Sequence, residues 1–359
     1  MRSSYRTAEL NLLGAFIDDD LHYERGVRIY IQDNAIVDIE KGSEGRAVAV
    51  PAIFNSHVHT GDFLFNEAGY SLPLEKLVAP PDGLKHRLLE NTDKKSMASA
   101  RKRAMKGIMS GGVIAVADFV EGGAAFAMEA KNCMPLSHLV YGRPKREDFE
   151  SELQKIRLWA DGLGIPDAFS YSEDEMGKMR SSFHGRISVH VSETAKSHSS
   201  GDFRTAMDSL DPFLLVHGVH FNKREINEIA EKGKSIAVCI RSNMWFSVGL
   251  PPLKEMVETG ANVVLGTDNV GWIKPDIWRE MEAAITLMRG VKEAGRAVLK
   301  MATVSPSAVF NFGGPIKKGA KAIMVLMDGR RMGMDLTYEP YYALIKRGGP
   351  EMVMRTIGY

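Results

Sequence analysis

Cysteine is nearly absent from this chain: there are two in 359 residues, Cys133 and Cys239, and neither belongs to a Cys-x-x-Cys pair. That scarcity excludes a disulfide framework and makes a reducing compartment, the cytoplasm, the expected location. Long apolar runs are missing too. The longest are strand-sized, well short of the roughly 20 residues that a membrane-spanning helix needs. The opening MRSSYRTAELNLLGAF has charges where a signal peptide would have an unbroken apolar segment. No membrane association and no export signal are expected. Neither charge sign dominates, since 46 Lys plus Arg stand against 45 Asp plus Glu, for a net charge of +1. Such a balance provides no broad field to gather a polyanion, so nucleic acid is not an expected partner. There is also no internal repeat, no low-complexity segment and no Gly-rich phosphate loop behind the first strand of the central region, which counts against a doubly wound dinucleotide-binding sheet.

What is present is apolar residues, 44% of the chain, enough for one large core and a small accessory unit. After residue 50, short β-branched runs alternate with amphipathic stretches of helical length, the pattern of a parallel sheet covered by crossover helices. Strands are predicted near Val48–Asn55, Val113–Asp118, Pro135–Tyr141, Ala168–Tyr171, Ile187–Val191, Phe213–Val216, Ser235–Ile240 and Asn262–Leu265. Helices are predicted over Thr92–Met109, Glu147–Ala160, Asn222–Lys232 and Pro275–Gly290, several opened by capping residues. Eight strands over about 265 residues predict an α/β fold of the (β/α)8, TIM-like barrel type, spanning residues 48–312. The flanks LNLLGAFID, VRIYIQDNAIVDI and AKAIMVLMDG read instead as strands joined by Asp/Asn/Gly turns. Residues 1–47 and 313–359 are therefore expected to form one small composite β-domain, with the barrel inserted between its halves.

The strongest local signal is PAIFNSHVHT, an apolar strand that ends in His57-Val-His59. Residues two apart on a strand share a face, so both imidazoles would point into a barrel at its carboxyl-terminal mouth, where such folds keep their catalytic groups. Later strands end in further candidates: His190 closes ISVH, His217 closes FLLVH, and Asp268 follows VVLGT. Imidazole nitrogen and carboxylate oxygen are ligands for zinc and related divalent ions, and a catalytic site uses three or four of them with one position left open. The plainer alternative is that strand-end histidines hydrogen-bond within the barrel and that the Gly-Thr-Asp caps the next helix.

In order along the chain, NSHVHTGD, HVSE, VHGVH, VCIRSN, GTDN and the closing KMATVSPSAVFNFGGPIKKGAKAIMVLMD resemble the amidohydrolase superfamily. The likeness spans nearly the whole chain and is to the cytosine deaminase and chlorohydrolase-like branch, which includes S-adenosylhomocysteine deaminases. It implies one divalent metal ion, zinc or else iron, held by His57, His59, His190 and Asp268, with His217 outside the coordination sphere. It also implies hydrolytic deamination of an aminated N-heterocycle of purine, pyrimidine or pterin type by a metal-bound hydroxide. The alternatives are hydrolysis of a cyclic amide, dechlorination at the same site, or a catalytically silent barrel. Relatives are often dimers or larger, so a homo-oligomer is compatible with the likeness. The sequence departs from the pattern at Ile240, where relatives often have proline, and in lacking Ala-Asp before the last apolar run. DAFSYSEDE, taken as the fourth strand, has no lysine to carboxylate, which disfavours a two-metal centre.

The expected roles follow from these positions. Asp268 orients the attacking hydroxide and accepts its proton, Glu193 at His-x-x-Glu spacing shuttles a proton to a ring nitrogen and then to the leaving group, and His217 stabilises the developing oxyanion. A surface salt bridge for Glu193 and a satisfied core position for His217 are the plainer readings, and His220 is left out of the metal site. Among loop residues, Phe65, Arg143, Arg241, Asn243, Trp245 and Trp272 suit a planar, polar small-molecule ligand. Arg143, Arg241 and the pair Lys85 and His86 are candidates for binding a carboxylate or phosphate. The stretch Thr60 to Leu88 exceeds ordinary loop length and is expected to cover the site.

Overall fold

The computed structural model describes residues 7–79, 82–133, 137–183 and 185–358. By its internal contacts the chain divides into one compact unit of Met1–Phe54, Ile108–Ala115 and Ile277–Tyr359 and a second of Asn55–Gly107 and Val116–Asp276.

The chain ends build a six-stranded sheet. Thr7–Ile17, His22–Gln32 and Ala35–Lys41 form an antiparallel meander. Its second turn is the pair Asp33-Asn34, at φ of 52° and 65°, the twist that a two-residue hairpin loop needs and that Asp and Asn tolerate. Ala47–Pro51 runs parallel to the first strand and pairs on its other edge with Met324–Asp328, which in turn pairs antiparallel with Val353–Ile357. Alternating apolar residues, among them Leu12, Val27, Ile29, Ile36 and Met324, bury one core. The last strand, VMRTI, is mostly half-exposed at the sheet edge and has no clear apolar alternation to announce it.

The other sheet is parallel and carries the barrel order. Starting from Ile53–His59, successive neighbours are Val113–Val120, Ser137–Gly142, Gly162–Ile165, Ile187–Val191, Leu214–His217, Ser235–Val238 and Asn262–Leu265. Closure comes from the last strand, whose first half pairs with Ser235–Val238 while its continuation Asp268–Asn269 pairs with Val58 and His59 of the first. The result is the eight-membered TIM-like arrangement read from the sequence, with helices between strands. Asn222 caps the helix Lys223–Glu231 as expected, its side chain accepting from the Glu225 N–H while Glu225 reciprocates.

The first and fourth strands are placed otherwise than expected. The stretch Val48–Asn55 is two strands, Ala47–Pro51 in the end sheet and Ile53–His59 in the barrel, because continuous apolar character does not mark where one sheet gives way to the other. Pro135, the expected start of the third strand, lies outside the described residues. The fourth strand is Gly162–Ile165 rather than Ala168–Tyr171. The latter is itself a turn, in which Asp167 accepts from the Phe169 N–H and the Ser170 hydroxyl. Gly-Leu-Gly-Ile does not look like a strand, yet glycine is required there: a Cβ on Gly164 would sit 2.6 Å from the Phe119 ring. That ring is itself packed against His57 at 4.2 Å and Tyr141 at 5.4 Å between centroids. Gly164→Ala is accordingly expected to lower stability by about 1–3 kcal/mol, the usual cost of overpacking, read as a fall in the denaturation midpoint. The true fourth strand has no lysine either, so the argument against a carboxylated lysine is unchanged.

Candidate metal and active site

His57 and His59 leave the same face of the first barrel strand, with ring centroids 5.0 Å apart. The Nε2 atoms of both approach one oxygen, Asp268 Oδ1, at 3.3 and 3.4 Å. His190, at the end of the fifth barrel strand, brings its ring to 4.8 Å from that of His57. Ligand atoms of His57, His59, His190 and Asp268 all lie within 4.8 Å of one another, although the residues are separated by up to 211 positions (268 − 57). Gly266 makes this approach possible, since a Cβ there would stand 2.6 Å from that of His57 and would keep the eighth strand away. Without it, the Thr267 N–H donates to the His57 carbonyl at 2.9 Å.

The hydrogen bonds around this cluster leave its coordinating atoms free. His59 Nδ1 lies 3.0 Å from Glu121 Oε1, and His190 Nδ1 donates to the Ile165 carbonyl at 2.9 Å, so each ring presents Nε2 to the centre. Outer partners of this kind orient metal-binding imidazoles. Asp268 Oδ2 accepts from the Ser242 hydroxyl at 2.5 Å and from Asn269 Nδ2 at 3.0 Å, and Oδ1 is left facing the histidines. His57 is fully buried, yet neither of its ring nitrogens has a hydrogen-bond partner among the described residues. A buried polar atom without a partner is costly, and a cation on Nε2 would remove that cost. Burial pushes the His57 imidazole down to about 4 despite the nearby Asp268 carboxylate. Burial and the neighbouring imidazoles also hold His190 well below its ordinary value. Burial alone would raise Asp268, but the surrounding histidines hold its carboxyl well below the ordinary range. Neutral imidazoles at His57 and His190 and an ionised carboxylate are the protonation states that a divalent ion requires. Burial and Lys85 push His59 down, but the Glu121 and Asp268 carboxylates outweigh them and raise it, so His59 would give up a proton to the ion that this three-nitrogen, one-oxygen set fits.

Two further groups face this cluster. His217, at φ 74°, is fixed by its Nδ1 to Asn243 Oδ1 at 2.9 Å and turns Nε2 to within 3.7 Å of Glu193 Oε1. Burial raises the Glu193 carboxyl above its usual value, an effect only partly offset by His217. A cavity of about 330 Å³ opens over these atoms, walled on one side by Leu74, Val78 and Ala79, so part of the long stretch Thr60 to Leu88 does border the site.

The predicted substrate contacts divide by placement. Lys85, His86 and Arg143 line the cavity, whereas Arg241, Asn243, Trp245 and Trp272 do not. The seventh strand stops at Val238 and a helix begins at Ile240, two residues earlier than expected, so helical rotation replaces strand alternation. Ser242 and Asn243 are buried by that rotation, while Trp245 is 46% exposed and Arg241 Nη1 donates to the carbonyls of Lys274 and Asp276. The Trp272 indole donates to the Ala68 carbonyl, and Phe65 packs in an apolar cluster with Met97 and Phe126. His220 Nε2 donates to the Val248 carbonyl, away from the cluster.

Lys85 is placed otherwise than a free anion receptor. It is buried, with Nζ 2.8 Å from Asp62 and 2.6 Å from Glu121, and its charge is already engaged. The sequence reading missed both carboxylates, although Glu121 directly follows the apolar strand Val113–Val120 and obeys the same strand-end rule that located His190. Lys85→Met leaves the buried Asp62 carboxylate without its cation and Glu121 with His59 alone, and is expected to cost about 3–5 kcal/mol of folding stability, measured by chemical denaturation.

Comparison with known proteins shows the family and the fold. The chain is 32% identical to a protein of Methanothermobacter thermautotrophicus provisionally named an aminohydrolase, over 91% of this chain and 90% of that one. It is 26% identical to the 5-methylthioadenosine/S-adenosylhomocysteine deaminase of Moorella thermoacetica, over 88% and 81% of the two chains. Among solved structures, a zinc-bound adenosine deaminase from Xanthomonas campestris superposes with a TM-score of 0.84 at 17% identity, over 97% and 90% of the two chains, a likeness of fold. Residues 48–356 match the Amidohydrolase family model, and the chain therefore belongs to the amidohydrolase family.

Proposed function

We propose that this enzyme hydrolytically deaminates an aminated N-heterocycle, with His57, His59, His190 and Asp268 holding one divalent ion, zinc being the first candidate and iron the second. The observation that carries the reading is the Glu193–His217 pair, at 3.7 Å, lining one cavity with His59, His190 and Asp268, and with His57 buried beside them. The ion, when bound, supplies Lewis acidity and makes water a nucleophile near neutral pH. Asp268 Oδ1 faces that position and takes the proton that the water loses, while Ser242 and Asn269 hold the other carboxylate oxygen still. Burial raises the Glu193 carboxyl, the direction that favours the proton it would donate to a ring nitrogen when the carbon–oxygen bond forms. His217 Nε2, aimed by Asn243, stabilises the oxygen on which negative charge gathers. A second proton then goes to the exocyclic nitrogen, the carbon–nitrogen bond breaks, and ammonia leaves, so that amine plus water becomes carbonyl plus ammonia. The names of the deaminating relatives support this choice, and the cavity volume of about 330 Å³ suits a heterocycle larger than a bare ring.

The test is ammonia release from aminated purines, their nucleosides, pyrimidines and pterins by protein loaded with zinc, iron or manganese. Turnover of one class with stoichiometric ammonia is expected. Release of chloride from a chlorinated triazine, or ring opening of a cyclic amide, with no ammonia from any amine, would replace the reading.

A further inference from the structure

The turn after His190 is left unexplained by these roles. Side chains alternate along a strand, so with His190 facing the cavity, Glu193, three positions later, would face away from it. Ser192 intervenes at φ 52°, a left-handed conformation that serine seldom adopts. With that reversal, the Glu193 carboxylate reaches the His217 imidazole. The conformation has an evident holder. Asp202, 2% exposed, accepts the Ser192 N–H on Oδ2 at 2.6 Å and the Ser192 hydroxyl on Oδ1 at 2.9 Å. His198 Nδ1 lies 3.0 Å from the same hydroxyl, and the Ser192 carbonyl accepts the His220 N–H at 3.0 Å. Both oxygens of a buried carboxylate are thus spent on one residue, which neither binds a metal nor touches Glu193 through a side-chain hydrogen bond.

We propose that Asp202 is a positioning residue for the reaction, holding Ser192 in its left-handed conformation and thereby aiming the Glu193 carboxylate at the substrate. The inference rests on the role given to Glu193 above. It separates two functions that share one short segment, since His190 is set by its own bond to the Ile165 carbonyl and does not need the turn.

Asp202→Asn keeps the size of the side chain but replaces one acceptor oxygen by an amide that only donates. Metal content is expected to stay near one equivalent and KM to move by less than about threefold, while kcat falls at least about tenfold, because misplacing a reacting group by an ångström is costly. Crystals of the variant are expected to show the Glu193 carboxylate displaced from His217 with His190 unmoved. Adding Ser192→Gly, a residue free to take positive φ, is expected to restore part of the lost kcat. A rise in KM at unchanged kcat would make Asp202 a substrate contact, and lower stability at unchanged kcat would make it structural. Either result overturns the proposal. If Asp202→Asn is not recovered folded, Ser192→Ala, which removes one of the two donors, is judged by the same measurements. Should the wild-type protein deaminate nothing, the functional reading fails, and the position of Glu193 in the variant still decides the positioning.

Discussion

Glu193→Gln is expected to retain its metal and to lose turnover by about 10³-fold, within the range that positioned proton transfer contributes. The amide has nearly the same shape as the carboxyl and can still hydrogen-bond, but it can neither deliver a proton to a ring nitrogen nor recover one. Glu193 is outside the group of four whose ligand atoms lie within 4.8 Å of one another, so its loss should leave the donor set intact. The two readouts, kcat and metal content, therefore separate a proton-transfer role from a ligand role. A Glu193→Gln enzyme working within about tenfold of wild type would remove proton transfer from this residue, given the magnitude ordinarily lost with such a group. Parallel loss of metal would make it a ligand.

The second large effect is expected at His190. His190→Ala removes one of three imidazoles from a three-nitrogen, one-oxygen site and leaves a void in the barrel mouth. Changes to the groups that merely orient a ligand already cost about 10–100-fold in affinity, so deleting the ligand itself should cost more than about 10²-fold. After dialysis the variant should contain little metal where wild type retains about one equivalent, with activity lost in proportion. His220→Ala is the matched control, since His220 Nε2 is occupied by the Val248 carbonyl, and it should keep its metal. Equal metal content in the two variants would contradict the assignment of His190.

The legibility of these groups in the sequence follows from the range of the forces that place them. His57 and His59 were visible because a strand has a period of two and one face of a barrel strand points inward. His190, His217 and Asp268 were visible because each sits where an apolar run stops, and in this fold that is the mouth. Glu121 obeys the same rule, directly after the apolar strand Val113–Val120, so it too is legible from strand ends. The fourth strand was not legible. Its two glycines answer to distant neighbours, Gly164 to the Phe119 ring 45 residues earlier (164 − 119) and Gly162 to the Arg186 carbonyl and the Tyr141 ring, and local propensity contains no trace of those contacts. The substrate-facing set was the least legible part. Arg241, Trp245 and Trp272 are of the right residue types at strand ends, but an early helix start at Ile240 and the acceptors at Lys274, Asp276 and Ala68 direct them elsewhere. The charge of Lys85 suggests an anion receptor in the sequence, and the structure gives that charge to Asp62 and Glu121.

Chain closure brings four distant side chains to one point, and anomalous diffraction from zinc-loaded crystals reveals whether a cation sits among them. A single strong peak is expected about 2.0–2.2 Å from Nε2 of His57, His59 and His190 and from Oδ1 of Asp268, the distances usual for zinc bound by nitrogen and oxygen. A peak bound elsewhere, or none in fully loaded protein, would contradict it.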